Sequence, residues 1–264
     1  MPRFAANLSL LYAELPFLAR FDAAARDGFD AVEFQFPYAF EAGDIAAAAR
    51  AAGVCIVLHN LPAGNWDAGE RGIAGLPGRE AEFRDGVERA LRYARALGVD
   101  RLNCLAGLAP HGVAAELARE TLVGNLRFAA DRLATHGLRL LLEPINTRDV
   151  PGFMVHRSDD AIAIMDSVGR DNLLLQYDVY HMQRMEGDLA ATLTRLLSRI
   201  GHIQIADNPG RHEPGSGEIN FTFLLRHLDA LGYPGWIGCE YIPRTSTHEG
   251  LGWRTAAQTT ERTS

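Results

Sequence analysis

The chain has 264 residues, a hydrophobic content of 47% and a formal net charge of −7 at pH 7. Its length fits one large α/β domain or two small ones, and its apolar content is enough for a substantial core. The acidic balance lacks the clustered positive charge that binds nucleic acid or anionic membranes, so we expect neither partner. No segment reaches the roughly 18 consecutive apolar residues of a membrane span, and we expect a cytoplasmic protein.

All 26 residues in the Lys+Arg total are arginine. Without a lysine amine, Schiff-base aldol chemistry, pyridoxal phosphate attachment and a phosphate-loop lysine are excluded. Any carbonyl chemistry must therefore use carboxylates, histidine, arginine or a metal. The three cysteines, Cys55, Cys104 and Cys239, are odd in number and lie in apolar runs, which predicts buried free thiols rather than disulfides.

Short β-rich runs alternate with amphipathic stretches along the whole chain. The predicted strands are Phe4 to Leu8, Ala31 to Phe36, Cys55 to Asn60, Arg101 to Ala106, Arg139 to Ile145, Leu173 to Asp178, His202 to Ala206 and Trp236 to Tyr241. The predicted helices are Pro16 to Asp27, Asp44 to Ala52, Arg79 to Leu97, Ala114 to Thr135, Ser158 to Val168, Leu189 to Ile200 and Phe221 to Leu231. Many of these helices end at glycine, as is typical of a helix that stops before a strand.

Eight strands joined by helix-length connections favour a parallel sheet closed into a single (β/α)8 TIM barrel. The alternative, a Rossmann-like open sheet, lacks a GxGxxG turn after its first strand. We assign residues 1–253 to one catalytic barrel domain and residues 254–264 to a polar, frayed C-terminal tail. The longest irregular stretch, Leu61 to Gly78, follows strand three and is predicted to be a lid or binding loop on the catalytic face.

Four strands in the second half each carry an oxygen-bearing side chain at or near the end of an apolar run. These side chains are Glu143, Asp178, Gln204 and Glu240. A polar group that interrupts a buried strand costs several kcal/mol unless it is paired or ligated. Because the ends of parallel strands meet at one mouth, we expect these four residues to form one site.

Three acids and an amide suit either proton transfer or the binding of a hard cation. Glu143 and Glu240 would remove a proton from one carbon and deliver it to the next. The all-oxygen set of Glu143, Asp178, Gln204 and Glu240 favours Mg²⁺ or Mn²⁺ over Zn²⁺. Two alternatives stay open: a metal-free acid cluster with shared protons, and glutamates that pair with a loop arginine such as Arg211 or Arg244.

Four further residues are candidates for substrate binding. His59 ends strand three and His181 follows Asp178 by three residues, although each is also compatible with a satisfied core or rim histidine. Arg211 lies in a Gly/Pro-rich loop and suits a small carboxylate, or it is simply exposed to solvent. Trp66, in the long loop, either covers the site or anchors that loop.

Several long motifs make the chain recognisable. They are HNLPAG (59–64), ERGIAGLPGRE (70–80), EPIN (143–146), QYDVYHMQRMEGD (176–188), HIQIADNPGRHEPGSGEIN (202–220) and GWIGCEY (235–241). Over about residues 1–253 the chain resembles the hydroxypyruvate isomerase family, within the xylose-isomerase-like (β/α)8 barrels.

The resemblance implies an aldose–ketose isomerase that interconverts hydroxypyruvate and 2-hydroxy-3-oxopropanoate (tartronate semialdehyde). It implies that Glu143 and Glu240 are the proton donor and acceptor, and that Glu143, Asp178, Gln204 and Glu240 hold the metal. Related sugar epimerases commonly have histidine at the position of Gln204, so the resemblance does not specify which metal is bound. The alternatives within this class are a 2-oxo-tetronate isomerase, which shares most of these motifs, and a related ketose epimerase.

Two function classes outside the isomerases compete with this assignment. A DNA-repair endonuclease on the same barrel would need a histidine-rich mouth and a basic face. The nine histidines and the net charge of −7 argue against this function. A non-catalytic sugar- or metal-binding barrel would bind a ligand without turnover. The expected partner in the favoured assignment is a small hydroxy or keto acid, and the sequence leaves a homo-oligomer open.

Overall fold

The protein was analysed as a computed structural model, which describes residues 2–254. Its strands form one closed parallel barrel in the order β1 to β8, so each strand pairs with its neighbours in sequence and β8 pairs with β1. This confirms the predicted (β/α)8 barrel. The predicted tail lies outside the described residues, apart from Arg254.

The barrel strands are β1 Arg3–Asn7, β2 Ala31–Glu33, β3 Cys55–Asn60, β4 Arg101–Cys104, β5 Arg139–Leu142, β6 Leu173–Asp178, β7 Ile200–Ile205 and β8 Trp236–Cys239. The α-helices are α1 Arg20–Arg26, α2 Ala42–Ala52, α3 Glu80–Leu97, α4 Ala115–Ala134, α5 Ser158–Val168, α6 Val179–Met185, α7 Leu189–Leu196 and α8 Phe221–Ala230. Short 3-10 turns lie at Phe17–Ala19, Leu197–Arg199 and Glu249–Leu251. None of the helices described over residues 2–254 is long and apolar enough to cross a membrane.

Apolar side chains pack in two layers because each barrel strand is covered on both faces. The larger core lies between the strands and the ring of helices. A much smaller apolar cluster fills the barrel interior, and its members include Ala5, Ala31 and Leu141. In β8, a Cβ at Gly238 would lie 2.4 Å from Glu33 Oε1, so glycine at this position makes room for a buried carboxylate inside the barrel.

Four strands end two or three residues earlier than predicted, because the ladder stops where the loops diverge at the barrel mouth. The strands concerned are β2, β4, β5 and β8. As a result, Glu143 and Glu240 are each the first residue after a strand rather than strand members. Their side chains are thereby available to the space above the barrel interior.

Two other boundaries differ from the prediction for local reasons. Strand β7 begins at Ile200, because α7 ends at Leu196 and a 3-10 turn leads directly into the strand. Helix α6 was not predicted, since its seven residues are too few to show a helical period. Asp178 begins it by accepting a hydrogen bond from the Tyr180 backbone N–H.

The predicted state of the cysteines is confirmed in one respect and wrong in another. All three thiols are free, and Cys104 and Cys239 are buried as expected. Cys55 is exposed. It is the first residue of β3, at the amino-terminal end of the barrel.

Candidate active site

A small cavity of about 100 Å³ lies at the mouth of the barrel, at the carboxyl ends of the strands. Its wall contains two glutamates, Glu143 and Glu240, and two arginines, Arg71 and Arg211. The other lining residues are Gln35, Asn60, Trp66, Leu105, Ile145, Val150 and His181. Its position is the one at which (β/α)8 enzymes carry their active sites.

Glu143 is buried directly after β5. The Asn103 side-chain amide on β4 donates a hydrogen bond to its Oε2 at 2.7 Å. Burial, together with the charges of Glu240 and Asp178, raises the pKa of the Glu143 carboxyl well above its ordinary value. A proton or a cation at this carboxylate is therefore strongly favoured over an isolated charge.

Asp178 is fully buried at the end of β6. Its Oδ1 accepts a hydrogen bond from the Tyr180 backbone N–H at 2.8 Å. Its Oδ2 has no hydrogen-bond partner among residues 2–254. Burial raises the pKa of Asp178 to about 7, against the opposing effect of the nearby Arg211 guanidinium. An unpartnered carboxylate oxygen in this position points to a ligand.

His181 lies beside these two acids and is neutral, because burial and the charges of Arg211 and Arg184 depress its pKa well below the ordinary value. Asn146 fixes its tautomer. The Asn146 Oδ1 accepts from two backbone N–H groups, so its Nδ2 donates to His181 Nδ1 at 2.7 Å. The ring proton is therefore on Nε2, which lies 3.5 Å from Asp178 Oδ2 and 3.9 Å from Glu143 Oε1. His181 presents an N–H donor to the cavity.

Glu240 is held quite differently, directly after β8. Arg211 Nη2 donates to its Oε2 at 2.5 Å. Its Oε1 accepts from Gln35 Nε2 at 3.0 Å and from Asn7 Nδ2 at 3.1 Å. The open alternative of a glutamate paired with a loop arginine is thus realised at Glu240 by Arg211.

The loop after β7 holds Arg211 in place. Asp207, fully buried, accepts hydrogen bonds from the backbone N–H groups of Gly215, Gly217 and Ile219. A Cβ at Gly217 would lie 2.2 Å from the Asn208 carbonyl oxygen, so this close approach requires glycine. The side chain at the centre of this ordered loop, Arg211, lies 5.4 Å from the Tyr180 ring centroid and 3.6 Å from Asp178 Oδ2.

Gln204 lies in the layer below the cavity. Its Oε1 accepts from Gln176 Nε2 at 2.6 Å, and its Nε2 donates to Glu33 Oε1 at 2.7 Å. Glu33 is itself completely buried and also contacts His202 Nε2 at 2.6 Å. The carboxamide is therefore occupied at both ends within the barrel interior, and it does not join Glu143 and Asp178 in this arrangement.

The cluster of Glu143, Asp178 and His181 offers three ligand atoms within 4.8 Å of one another. With its proton on Nε2, His181 acts as a donor, so the atoms directly available to a cation are carboxylate oxygens. Oxygen ligands with a concentrated negative charge fit a hard divalent cation. The residues present therefore fit a metal of the Mg²⁺ or Mn²⁺ class.

The predicted substrate-binding residues divide into two groups. Trp66, His181 and Arg211 line the cavity, whereas His59 does not. The His59 side chain is completely buried behind β3, stacked against Phe34 at 6.3 Å between ring centroids. Burial lowers its pKa to about 4. Because successive side chains of a strand face opposite sides, His59 faces the helices while Asn60 faces the mouth.

The sequence reasoning missed the polar residues that the first four strands bring to the mouth and to the layer directly below it. They are Asn7, Glu33, Gln35, Asn60 and Asn103. The same signal was present for most of them, because each lies at or just beyond the end of an apolar strand-like run. The prediction drew its polar cluster from four strands of the second half, and in the first half it singled out only His59 and Trp66.

Comparison with known proteins places this geometry in a family. Residues 21–262 match the family described as xylose isomerase-like TIM barrel. The chain belongs to this family. The hydroxypyruvate isomerase of Escherichia coli K12 is 53% identical over 253 residues, covering 96% of this chain and 98% of the relative. The 2-oxo-tetronate isomerase of Cupriavidus necator H16 is also 53% identical over 253 residues, covering 96% and 97%.

This chain is also closely similar to a solved structure. A crystal structure described as AP endonuclease, family 2, from Brucella melitensis superposes with a TM-score of 0.95 and is 46% identical. The match covers 97% of this chain and 99% of that one. The barrel and its loops are therefore shared along nearly the full length of both chains.

Proposed function

We propose that the protein is a hydroxypyruvate isomerase, which interconverts hydroxypyruvate and 2-hydroxy-3-oxopropanoate. One observation carries the proposal: two glutamates from β5 and β8 line a single small cavity in different electrostatic settings. Two such groups suit isomerisation between adjacent carbons by proton transfer, in which one group removes a proton and the other returns one. The identity of 53% to a hydroxypyruvate isomerase supports the substrate class.

The reaction that these residues suit is an enediol proton transfer. One glutamate removes a proton from C3 of hydroxypyruvate, and a proton is delivered to C2 from the other. The hydroxyl proton on O3 passes to O2, so the atoms balance and no hydride moves. His181 Nε2–H, next to Glu143 and Asp178, donates a hydrogen bond to a substrate oxygen and keeps that oxygen beside the acids.

A divalent cation, Mg²⁺ or Mn²⁺, completes the proposed site, and when bound it stabilises the charge of the enediolate. Glu143 and Asp178 hold it, since their oxygens form the cluster with the unpartnered Asp178 Oδ2. Glu240 and Gln204 are the further ligands that the family resemblance implies. In the described arrangement Arg211 binds Glu240 and Gln176 binds Gln204, so neither of these two side chains is directed at the cluster.

A 2-oxo-tetronate isomerase is the second candidate, because a protein of that name is equally similar at 53% identity. Its substrate is one carbon longer than hydroxypyruvate. The HNLPAG (59–64) and EPIN (143–146) motifs resemble the hydroxypyruvate isomerases more closely, which favours the three-carbon acid. The ratio of kcat/KM for the two substrates separates these functions, and we expect it to favour hydroxypyruvate.

The same cavity argues against action on DNA. A base or sugar turned out of a duplex needs a larger pocket and a basic rim to hold the phosphates. Here the wall balances two glutamates with two arginines, and the whole chain carries a charge of −7. The endonuclease function named for the Brucella melitensis protein is therefore not extended to this chain.

Turnover of hydroxypyruvate in D₂O, followed by NMR, tests the proposed function. We expect solvent deuterium at C2 of the product, because a proton held by a glutamate exchanges with solvent. We also expect faster turnover with added Mg²⁺ or Mn²⁺ than with a chelator. Product with no deuterium at C2, even at early times, would favour a hydride shift. Ligand binding without any product would instead indicate a non-catalytic binding barrel.

A further inference from the structure

The cavity contains two cationic side chains that face a small anionic substrate, and they are not equivalent. Both Arg71 and Arg211 lie in its wall. Arginine recognises carboxylates through two parallel N–H donors, so either residue has the right chemistry. Which of them is free to do so depends on the partners that each one already has.

Arg211 is already committed to the acids of the site. Its Nη2 contacts Glu240 Oε2 at 2.5 Å and lies 3.6 Å from Asp178 Oδ2. The guanidinium also lies against the Tyr180 ring. A substrate carboxylate at Arg211 would have to compete with these carboxylates for one charge, and it would bring a third negative group against them.

Arg71 has no such competitor. Its Nη1 donates to two backbone carbonyl oxygens, those of Trp66 at 3.0 Å and Glu70 at 2.7 Å. Its guanidinium carbon lies 4.1 Å from the Trp66 ring centroid. Within residues 2–254, none of the ion pairs of the structure involves Arg71. The neighbouring Glu70 carboxylate does not neutralise it, because that carboxylate is bound by Arg79.

The loop that carries Arg71 is built as a fixed platform. The Asn65 backbone N–H donates to Glu70 Oε2 at 2.5 Å, and the Gly72 N–H donates to the Ala63 carbonyl oxygen at 3.0 Å. Gly72 has a φ of 124°, and a Cβ there would lie 2.4 Å from the Leu105 carbonyl oxygen. Only glycine permits this close approach, which pins the residue next to Arg71 against the loop after β4.

We propose that Arg71 is the residue that binds the substrate carboxylate. In this arrangement Trp66 holds one side of the guanidinium, the two carbonyls fix one nitrogen, and the remaining N–H groups meet the carboxylate. The reacting carbons then lie toward Glu143 and Glu240 in the same small cavity. This assignment extends the proposed function and rests on it for the identity of the substrate. The class of ligand, a small carboxylate, does not depend on that function.

Binding of two unreactive ligands by titration calorimetry tests the assignment. Glycerate carries a carboxylate, whereas glyceramide carries a neutral amide in its place. We expect the wild-type protein to prefer glycerate about 10- to 100-fold, the range of a lost charge-assisted contact. Arg71→Gln should abolish this preference, and Arg71→Lys should retain part of it. Arg148→Gln, an exposed loop arginine outside the cavity wall, serves as the control and should behave as wild type.

With hydroxypyruvate, Arg71→Gln should raise KM by roughly 10-fold or more while changing kcat much less. An unchanged preference for glycerate in Arg71→Gln, or its loss only in Arg211→Gln, would overturn the assignment. If circular dichroism shows that Arg71→Gln does not fold, Arg71→Lys is the deciding variant. An unchanged preference for glycerate over glyceramide in Arg71→Lys would contradict a role for the two N–H donors of the guanidinium. Arg71-dependent binding of glycerate without turnover of hydroxypyruvate would contradict the isomerase function and leave the carboxylate subsite standing.

Discussion

Glu143 and Glu240 occupy equivalent positions after their strands, yet the two sides of the cavity treat them in opposite ways. On the β5–β6 side, Glu143 and Asp178 lie together in a buried setting with a neutral histidine, and the pKa of each acid is raised. On the β8 side, an arginine and two amides surround the Glu240 carboxylate. One side concentrates negative charge, and the other neutralises it.

We propose that this difference gives the two sides separate tasks. Three hydrogen-bond donors fix the orientation of the Glu240 carboxylate, as proton transfer at a defined carbon needs. The two buried acids of the other side, Glu143 and Asp178, have only the shared charge of Arg211 nearby, 3.6 Å from Asp178 Oδ2, and they favour a proton or a metal ion.

The largest expected effect follows from removing either glutamate. Glu143→Gln and Glu240→Gln should each lower kcat by about 10² or more, because each change removes a proton-transfer group but little volume. The double variant should lose little more than the worse single variant, since the pair acts as a unit. Steady-state assays on protein with wild-type circular dichroism provide the measurement, with the exposed Glu120→Gln as control. A near-normal kcat in either variant would exclude the two-carboxylate mechanism.

The same two variants should move stability in opposite directions in the metal-free protein. The folded-state pKa of Glu143 lies above its unfolded value, so its contribution to stability is complete at low pH and is lost as the pH rises through the folded-state pKa. Glu143→Gln should therefore stabilise the protein at pH 8 by on the order of 1 to 3 kcal/mol, and hardly at pH 4. Glu240→Gln should destabilise it by about 1 to 3 kcal/mol, because Arg211 loses its charged partner.

Denaturant unfolding with a chelator present, at both pH values, measures these differences. Glu120→Gln again supplies the control for a charge change on the surface. If both variants shift stability with the same sign at pH 8, the two sides of the cavity do not differ in the way that their contacts indicate.

The smallest expected effect concerns the amides that orient the two glutamates. Glu143 has a hydrogen bond from Asn103 alone among the described side chains, whereas Glu240 has Asn7, Gln35 and Arg211. Asn103→Leu should lower kcat roughly 10-fold, and Gln35→Met at most about 3-fold, since Glu240 keeps two donors. Equal losses of kcat in the two variants, each with an unchanged melting temperature, would mean that the number of donors does not matter.

Much of the fold was predictable from local patterns. The alternation of apolar runs and helical stretches, with glycine after many helices, predicted the eight strands and the closed barrel. Strand ends were less well predicted, because the ladder stops where loops diverge at the mouth. Helix α6 escaped prediction, since it is short and begins inside the motif that follows Asp178.

By itself, the sequence determined which strand ends carry polar groups and which chemistry is excluded, because both follow from residue type and position along the chain. Only the tertiary structure decided which polar groups meet. The alternation of side chains along β3 turned His59 away from the cavity. Hydrogen bonds inside the barrel occupied both ends of the Gln204 carboxamide. The folding of two distant loops paired Arg211 with Glu240 and left Arg71 without a carboxylate partner. These outcomes depend on competition between partners far apart in sequence, which no local pattern encodes.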